Sequence, residues 1–353
     1  MWSRYGRPVV VPALHGPGLL SGLLGLCGKL ADNPFLIITN EMSLLTISAH
    51  RHKLEGAFRF RLPAHQTVLL LHNKARFHEF AISNGLPVPR AEIVRQGESL
   101  AAMRTLRFPV VIKPADKRDF HLGTSPRLIV AVDAGSAQEA CEHLLETTEE
   151  VVVSEWIEGG DDNIYFSLFY RGRNAKDVSG FVGRKLASTP PGIGSTAFCT
   201  AASQARAALD PITTKLLNRI EYQGFGGIEY KWDVNTRQFV IIEPTVGRTD
   251  WQEEIATLCG VNIPLDAYLH EFGLPAVARM PDNGAIVWQA SCFERIRLGS
   301  AKIPVGARVV DGYWRTDDPL PAIMHYPYDA LIGSYRRRER EKGVFRGKCA
   351  GRG

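Results

Sequence analysis

Two carboxylates stand out in this 353-residue chain. The runs Gly226-Gly227-Ile228-Glu229-Tyr230-Lys231-Trp232-Asp233 and Phe239-Val240-Ile241-Ile242-Glu243-Pro244 read as two strands joined by a short polar turn. Like charges about 5 Å apart on neighbouring strands repel and raise a carboxyl pKa unless a cation lies between them. The apolar Ile228, Ile241 and Ile242 around the two acids therefore point to a divalent metal. Oxygen-only ligands favour Mg²⁺, which usually also binds substrate phosphates. The geometry carries a condition. A three-residue loop, Asn235-Thr236-Arg237, sets Glu229 and Glu243 on one face, whereas a four-residue loop sends them to opposite faces. A solvent-facing hairpin with scattered acids fits the same spacing.

Other pieces bear on an anionic substrate. Phe108 to Pro114 is an apolar strand with Lys113 near its end, where the ammonium must reach an anion or snorkel to water. Val151 to Gly160 is a second apolar strand that ends in Glu155-Trp156-Ile157-Glu158 and two glycines, a place where backbone groups become free to bond a planar base. Arg184-Lys185 is a paired cation, and Pro190 to Thr196 is a glycine-containing loop. Each has an ordinary structural explanation when taken alone.

Their order is more informative than any one of them. A lysine after an apolar strand, an acid-Gly-Gly strand end, Gly183-Arg184-Lys185, then two carboxylates on a terminal hairpin resemble the ATP-grasp superfamily over about residues 64–272. Within it the chain is most similar to the carboxylate-amine ligases related to carbamoyl-phosphate synthase and D-aspartate ligase. The resemblance implies an α+β fold of two lobes sandwiching ATP, preceded by an abbreviated α/β pre-ATP-grasp domain over residues 1–63. It implies that Lys113 and Lys74 contact ATP phosphates, and that Glu155 with the backbone at Trp156 and Ile157 forms the adenine hinge. Glu158 or Asp162 holds the ribose, Glu229, Glu243 and Thr245 hold Mg²⁺ or Mn²⁺, and Arg184, Lys185 and Arg248 surround the transferred phosphoryl and acyl groups. The implied activity is ATP-dependent ligation of a small-molecule carboxylate to an amine through an acyl phosphate, with release of ADP and phosphate.

Two departures qualify this. The family commonly reads Glu-x-Asn-Pro-Arg at the metal site, whereas this chain has Glu243-Pro244-Thr245-Val246-Gly247-Arg248, so a hydroxyl replaces the amide and the arginine is shifted by one residue. The phosphate loop between Lys113 and Arg127 has one glycine, leaving Lys117 and Arg118 to supply charge. The competing expectation is a catalytically inactive nucleotide-binding regulatory or assembly protein.

The elements that must position these residues divide the chain at about 1–70, an ATP-grasp domain at 71–275 with a lid lobe near 115–150, an extension at 276–335 without an assigned role, and a basic tail at 336–353. Expected helices are Met42 to Leu54, Lys74 to Ser83, Ser136 to Thr147 with Ser136 as N-cap, Ala205 to Tyr222, Gln252 to Leu258 and Pro264 to Glu271. Expected strands include Phe35 to Thr39, Arg127 to Val132, Ile164 to Tyr170 and Val178 to Gly183, mostly antiparallel. The tail carries eight basic residues against Glu339 and Glu341, which accounts for the whole net charge of +5 and argues against a basic nucleic-acid groove in the body. Six cysteines without a CxxC pair, and histidines without an HExxH, indicate neither zinc nor a disulfide framework and fit a reducing cytoplasm. The apolar stretch from Pro8 to Cys27 is broken by His15, prolines and glycines, so no membrane span is expected. Oligomeric state is left open.

Overall fold

The computed structural model describes residues 2–30, 33–99, 103, 105–118, 128–173, 176–278, 284–294 and 303–327. Two units result: residues up to 69 with 159–326 form one, and 70–158 the other.

The lead-in stretch forms helices α1 (Gly16–Cys27), α2 (Glu41–Ala49) and α3 (Arg51–Leu54). The helix expected over 42–54 is therefore divided at His50, whose backbone leaves the helical region. Asn40 starts α2 by accepting a hydrogen bond from the Ser43 amide. The strand expected at 35–39 is reduced to one parallel bridge, Phe35 with Arg59, because no longer segment lies alongside it. Phe35 instead packs its ring 6.3 Å from that of Phe225. Arg61 fixes this stretch to the rest of its unit. Its Nε and Nη2 donate to the two carboxylate oxygens of Glu271 at 2.6 Å each.

Helices α4 (His65–His72) and α5 (Lys74–Ser83) follow, with Asn73 capping α5 and Gly85, at φ +59°, letting the chain turn away. The 70–158 unit is a four-stranded antiparallel sheet of β1 (Ala91–Arg95), β2 (Val110–Pro114), β3 (Ile129–Ala131) and β4 (Glu150–Glu155), ordered β1-β4-β2-β3. Helix α6 (Ala134–Leu145) covers one face, burying Val110, Ile112, Val151 and Val153. Asp133 is its N-cap, and Ser136 closes a capping box from inside the first turn rather than starting the helix.

The larger unit is built on a seven-stranded sheet. Its strands are β5 (Ile164–Arg171), β6 (Asp177–Thr189), β7 (Ser195–Ala201), β8 (Gly224–Asp233), β9 (Gln238–Val246), β10 (Ile286–Gln289) and β11 (Arg308–Asp311), ordered β11-β10-β7-β6-β5-β8-β9. All neighbours are antiparallel except β10 and β11. The strand expected to end at Gly183 runs on to Thr189 and forms a hairpin with β7. Strands β10 and β11, from the stretch without an assigned role in sequence, lengthen this sheet at the β7 edge. Helix α7 (Arg206–Arg219) lies over the face carrying Tyr230, whose hydroxyl is 2.7 Å from that of Thr213. Helices α8 (Glu254–Leu258) and α9 (Ile263–Glu271) bury Phe166, Leu168 and Tyr170 on the other face.

Candidate functional site

The loop between β8 and β9 has four residues, because Asp233 pairs with Gln238. In a regular ladder Glu243 would then point away from Glu229. A one-residue bulge at Ile242 restores the phase: Tyr230 pairs with Ile241, and the next pair is Glu229 with Glu243. The two carboxylates are thereby set on one face of the sheet. Thr245 pairs with Gly227, two residues further along, and so lies on that face as well.

The row continues across the sheet. Phe166 on β5 pairs with Glu229 on one side and Gly183 of β6 on the other. A Cβ on Gly183 would run into the Phe166 ring, so only glycine admits the ring there. Lys185, two residues beyond Gly183, shares this face, and its Nζ lies 2.7 Å from Glu229 Oε2. Lys185 is 4% exposed. Arg184, its neighbour in the strand, is turned to the opposite face, where its guanidinium lies 5.9 Å from the Tyr165 ring centroid. The structure thus brings Lys185 to the acid pair and does not bring Arg184.

Lys231 was not singled out from sequence. It is buried and follows Glu229 by two residues, hence on the same face. The alternation Glu229-x-Lys231-x-Asp233 was the available signal. Asp233 serves the turn, accepting from the Asn235 amide and the Thr236 hydroxyl at 2.9 Å each.

Arg248 is held elsewhere in the same unit. Its guanidinium lies 3.8 Å from the carboxylates of Glu41, at the start of α2, and of Asp250. The extra residue before it has a physical reason. Gly247 adopts φ +69°, and a Cβ there would run into the Leu44 side chain, so the backbone turns where a side chain has no room. Asp162 lies in the 3₁₀ turn Asp161–Asn163. Its neighbour Asp161, also missed from sequence, accepts from the Ser188 and Gly192 amides at 2.9 Å each and so fixes the start of the loop after β6.

In the 70–158 unit, Lys113 lies on the sheet face opposite α6, paired with Val152. Lys74 is at the end of the same strand: its Nζ donates to the Pro114 carbonyl at 3.1 Å and its amide to the Ala115 carbonyl at 2.8 Å. Glu155 accepts from the Arg107 amide at 2.9 Å, and its own amide donates to the Arg90 carbonyl. The Trp156 amide donates to the Pro109 carbonyl. Of the expected hinge, that amide is therefore already in use. Ile157 is buried and Glu158 exposed. Arg118 folds back on Asp116, donating from Nε at 2.9 Å. Burial alone would push the Asp116 carboxyl up, but hydrogen bonds from His72 and Arg118 hold it well below the usual carboxylate range. Most of the expected phosphate loop, 119–127, lies outside the described residues, as does the basic tail.

The acid pair fits an oxygen-liganded ion, since both donors are carboxylates and Thr245 adds a hydroxyl on the same face. Among the described residues no three His, Cys, Asp or Glu side chains converge on a metal position. An ion at Glu229 and Glu243 must therefore complete its shell from Thr245, water or a ligand. Among the same residues no helix is long and apolar enough to cross a membrane.

No family model matches the chain, and no curated protein matches it in sequence. Its fold does match solved structures. N5-carboxyaminoimidazole ribonucleotide synthetase of Thermus thermophilus superposes with a TM-score of 0.55 at 15% identity, over 75% of this chain and 68% of that one. The L-amino acid ligase of Bacillus licheniformis gives 0.55 at 16% identity, over 77% and 63%. The biotin carboxylase domain of 2-oxoglutarate carboxylase from Hydrogenobacter thermophilus, solved as a dimer with MgADP, ADP and bicarbonate, gives 0.61 at 14% identity, over 78% and 62%. The chain thus spans about two thirds of the length of these proteins. With its two α+β units and the strand order described above, it has the ATP-grasp fold.

Proposed function

We propose that this chain is an ATP-dependent carboxylate-amine ligase. The observation that carries the reading is the facing pair Glu229 and Glu243, with Lys185 beside it, on the sheet of an ATP-grasp fold. Glu229, Glu243 and Thr245 would hold Mg²⁺ or Mn²⁺, which when bound neutralises phosphate charge as it develops during transfer. Lys74 and Lys113 bind phosphate oxygens, Glu155, Trp156 and Ile157 line the base, and Glu158 or Asp162 meets the ribose. A substrate carboxylate oxygen attacks the γ-phosphorus, the bond to the β-phosphate oxygen breaks, and ADP leaves. The amine then adds to the acyl carbon, loses its proton and expels phosphate, giving a C–N bond.

No protein nucleophile takes part in this scheme, so positioning and charge carry the rate. Lys185 and Arg248 are the cations assigned to the phosphoryl and acyl groups. Arg184, on the far face, is assigned no part. The cytoplasm suits these substrates.

Purified protein incubated with Mg·ATP and pooled carboxylates and amines tests the reading. Amine-dependent ADP release that disappears in Glu243→Gln is the expected result. Tight ATP binding with no turnover across a broad panel overturns it in favour of a nucleotide-binding regulator.

A further inference from the structure

The ion pair at Glu229 implies more than a binding site, on the reading of Glu229 and Glu243 as metal ligands. We propose that Lys185 is a built-in counter-ion that makes metal binding conditional on nucleotide, so that the chain takes up a metal–nucleotide complex and discriminates against the bare divalent cation.

Three observations carry this. First, Lys185 Nζ lies 2.7 Å from Glu229 Oε2, and Lys185 is 4% exposed, so water screens the pair weakly. A metal that takes that oxygen competes for it with a buried ammonium. Second, the face carrying Glu229 and Glu243 also carries Lys185 and Lys231, both buried. The two ammonium groups offset the charge of the two carboxylates and so weaken the attraction that a bare cation would feel there. Third, no further His, Cys, Asp or Glu among the described residues joins the two acids around a metal position. A bare ion would find two protein carboxylates at most, with Glu229 already ion-paired, far short of the oxygen shell it demands.

A nucleotide changes each of these terms. Its phosphate oxygens supply the missing ligands, and their charge gives the Lys185 ammonium a new anion when it releases Glu229. Metal and nucleotide should therefore strengthen each other's binding by the same factor, because coupling between two ligands is reciprocal. Removing the ammonium should uncouple them by leaving Glu229 open to metal at all times.

Mn²⁺ binding to the full chain, followed by electron paramagnetic resonance with and without ADP, tests this. Wild type is expected to bind Mn²⁺ at least about tenfold more tightly with ADP than without. Lys185→Met should bind Mn²⁺ alone at least about tenfold more tightly than wild type and show a smaller ADP effect. Lys185→Gln, which keeps a polar head in the buried position, provides a second neutral variant, and Lys185→Arg, which keeps the charge, should retain the ADP-dependence of Mn²⁺ binding. Circular dichroism shows which variants are folded. Bare-Mn²⁺ affinity unchanged or weakened in the folded neutral variants, with wild-type ADP binding intact, overturns the counter-ion role alone. Failure of wild type to bind ADP with Mn²⁺ overturns the proposed function and this inference together.

Discussion

Glu229 faces Glu243 only because β9 has one residue more than its partner strand over the same span. The four-residue loop sets the ladder out of phase, and the extra residue, Ile242, brings it back at the position where the two acids meet. Such bulges re-aim side chains, and here the result is two carboxylates and Thr245 on one face. If the pair acts as one metal-binding unit, Glu229→Gln and Glu243→Gln should each lower amine-dependent ADP release by about a hundredfold or more. The double variant should be little worse than either alone, since groups acting as a unit are not additive. Steady-state kinetics on the three variants check this, and independent, multiplying losses would count against a shared ion.

Gly247 is the second point where the metal strand depends on one backbone feature. Its φ of +69° and the close approach of Leu44 mean that Gly247→Ala introduces both strain and a clash with Leu44 and Leu62. The combined cost should be about 2–4 kcal/mol. Urea unfolding measures it, and a loss under about 0.5 kcal/mol would show that the lead-in helices yield to the added methyl.

Arg61 and Glu271 test how the lead-in stretch is attached. Glu271 accepts from both Arg61 nitrogens and from the Tyr170 hydroxyl, each at 2.6 Å. Burial by itself would push the Glu271 carboxyl up, but the bonds from Arg61 and Tyr170 outweigh it and hold it below its usual range. A depressed carboxyl contributes stability above its unfolded pKa of about 4.3 and loses it as pH falls through the lower folded value. Glu271→Gln should therefore cost about 3 kcal/mol near pH 7 and less at an acid pH below the lowered folded value. A double-mutant cycle with Arg61→Ala, run at both pH values, measures the coupling and its loss.

The sequence made some of this legible and hid the rest for identifiable reasons. Helix α5 could be read because Asn73 and Gly85 mark its ends locally, and β2 because an unbroken apolar run meets Lys113 and Pro114. The β8–β9 hairpin was equally plain, but its register was not. Nothing within Ile241-Ile242-Glu243 signals a bulge, because the bulge depends on what stands across the strand. Arg184 and Lys185 read as neighbouring cations with one purpose, whereas strand alternation separates them and Glu229 claims only Lys185. Strand β10 was legible as an apolar run from Ala285 to Ala290, whereas β11 has little local pattern, since it is short and takes its order from β10 beside it.

Glu253 gives the opposite pH signature from Glu271. It lies just before α8, and burial pushes its carboxyl up to about 7 against weaker opposing bonds from the Thr257 hydroxyl and the Ile263 amide. An acid raised by burial is tolerated when neutral and opposed when charged. Its contribution is thus intact below the unfolded pKa of about 4.3 and is lost as pH rises through about 7. Wild-type stability should decline over that window by an amount on the order of 3 kcal/mol, and Glu253→Gln, which stays neutral, should flatten the decline. Thermal melts at half-unit intervals from about pH 4 to 8 read both effects. A Glu253→Gln variant with the same slope as wild type would show that Glu253 ionises freely in the folded chain and that another group governs the alkaline side.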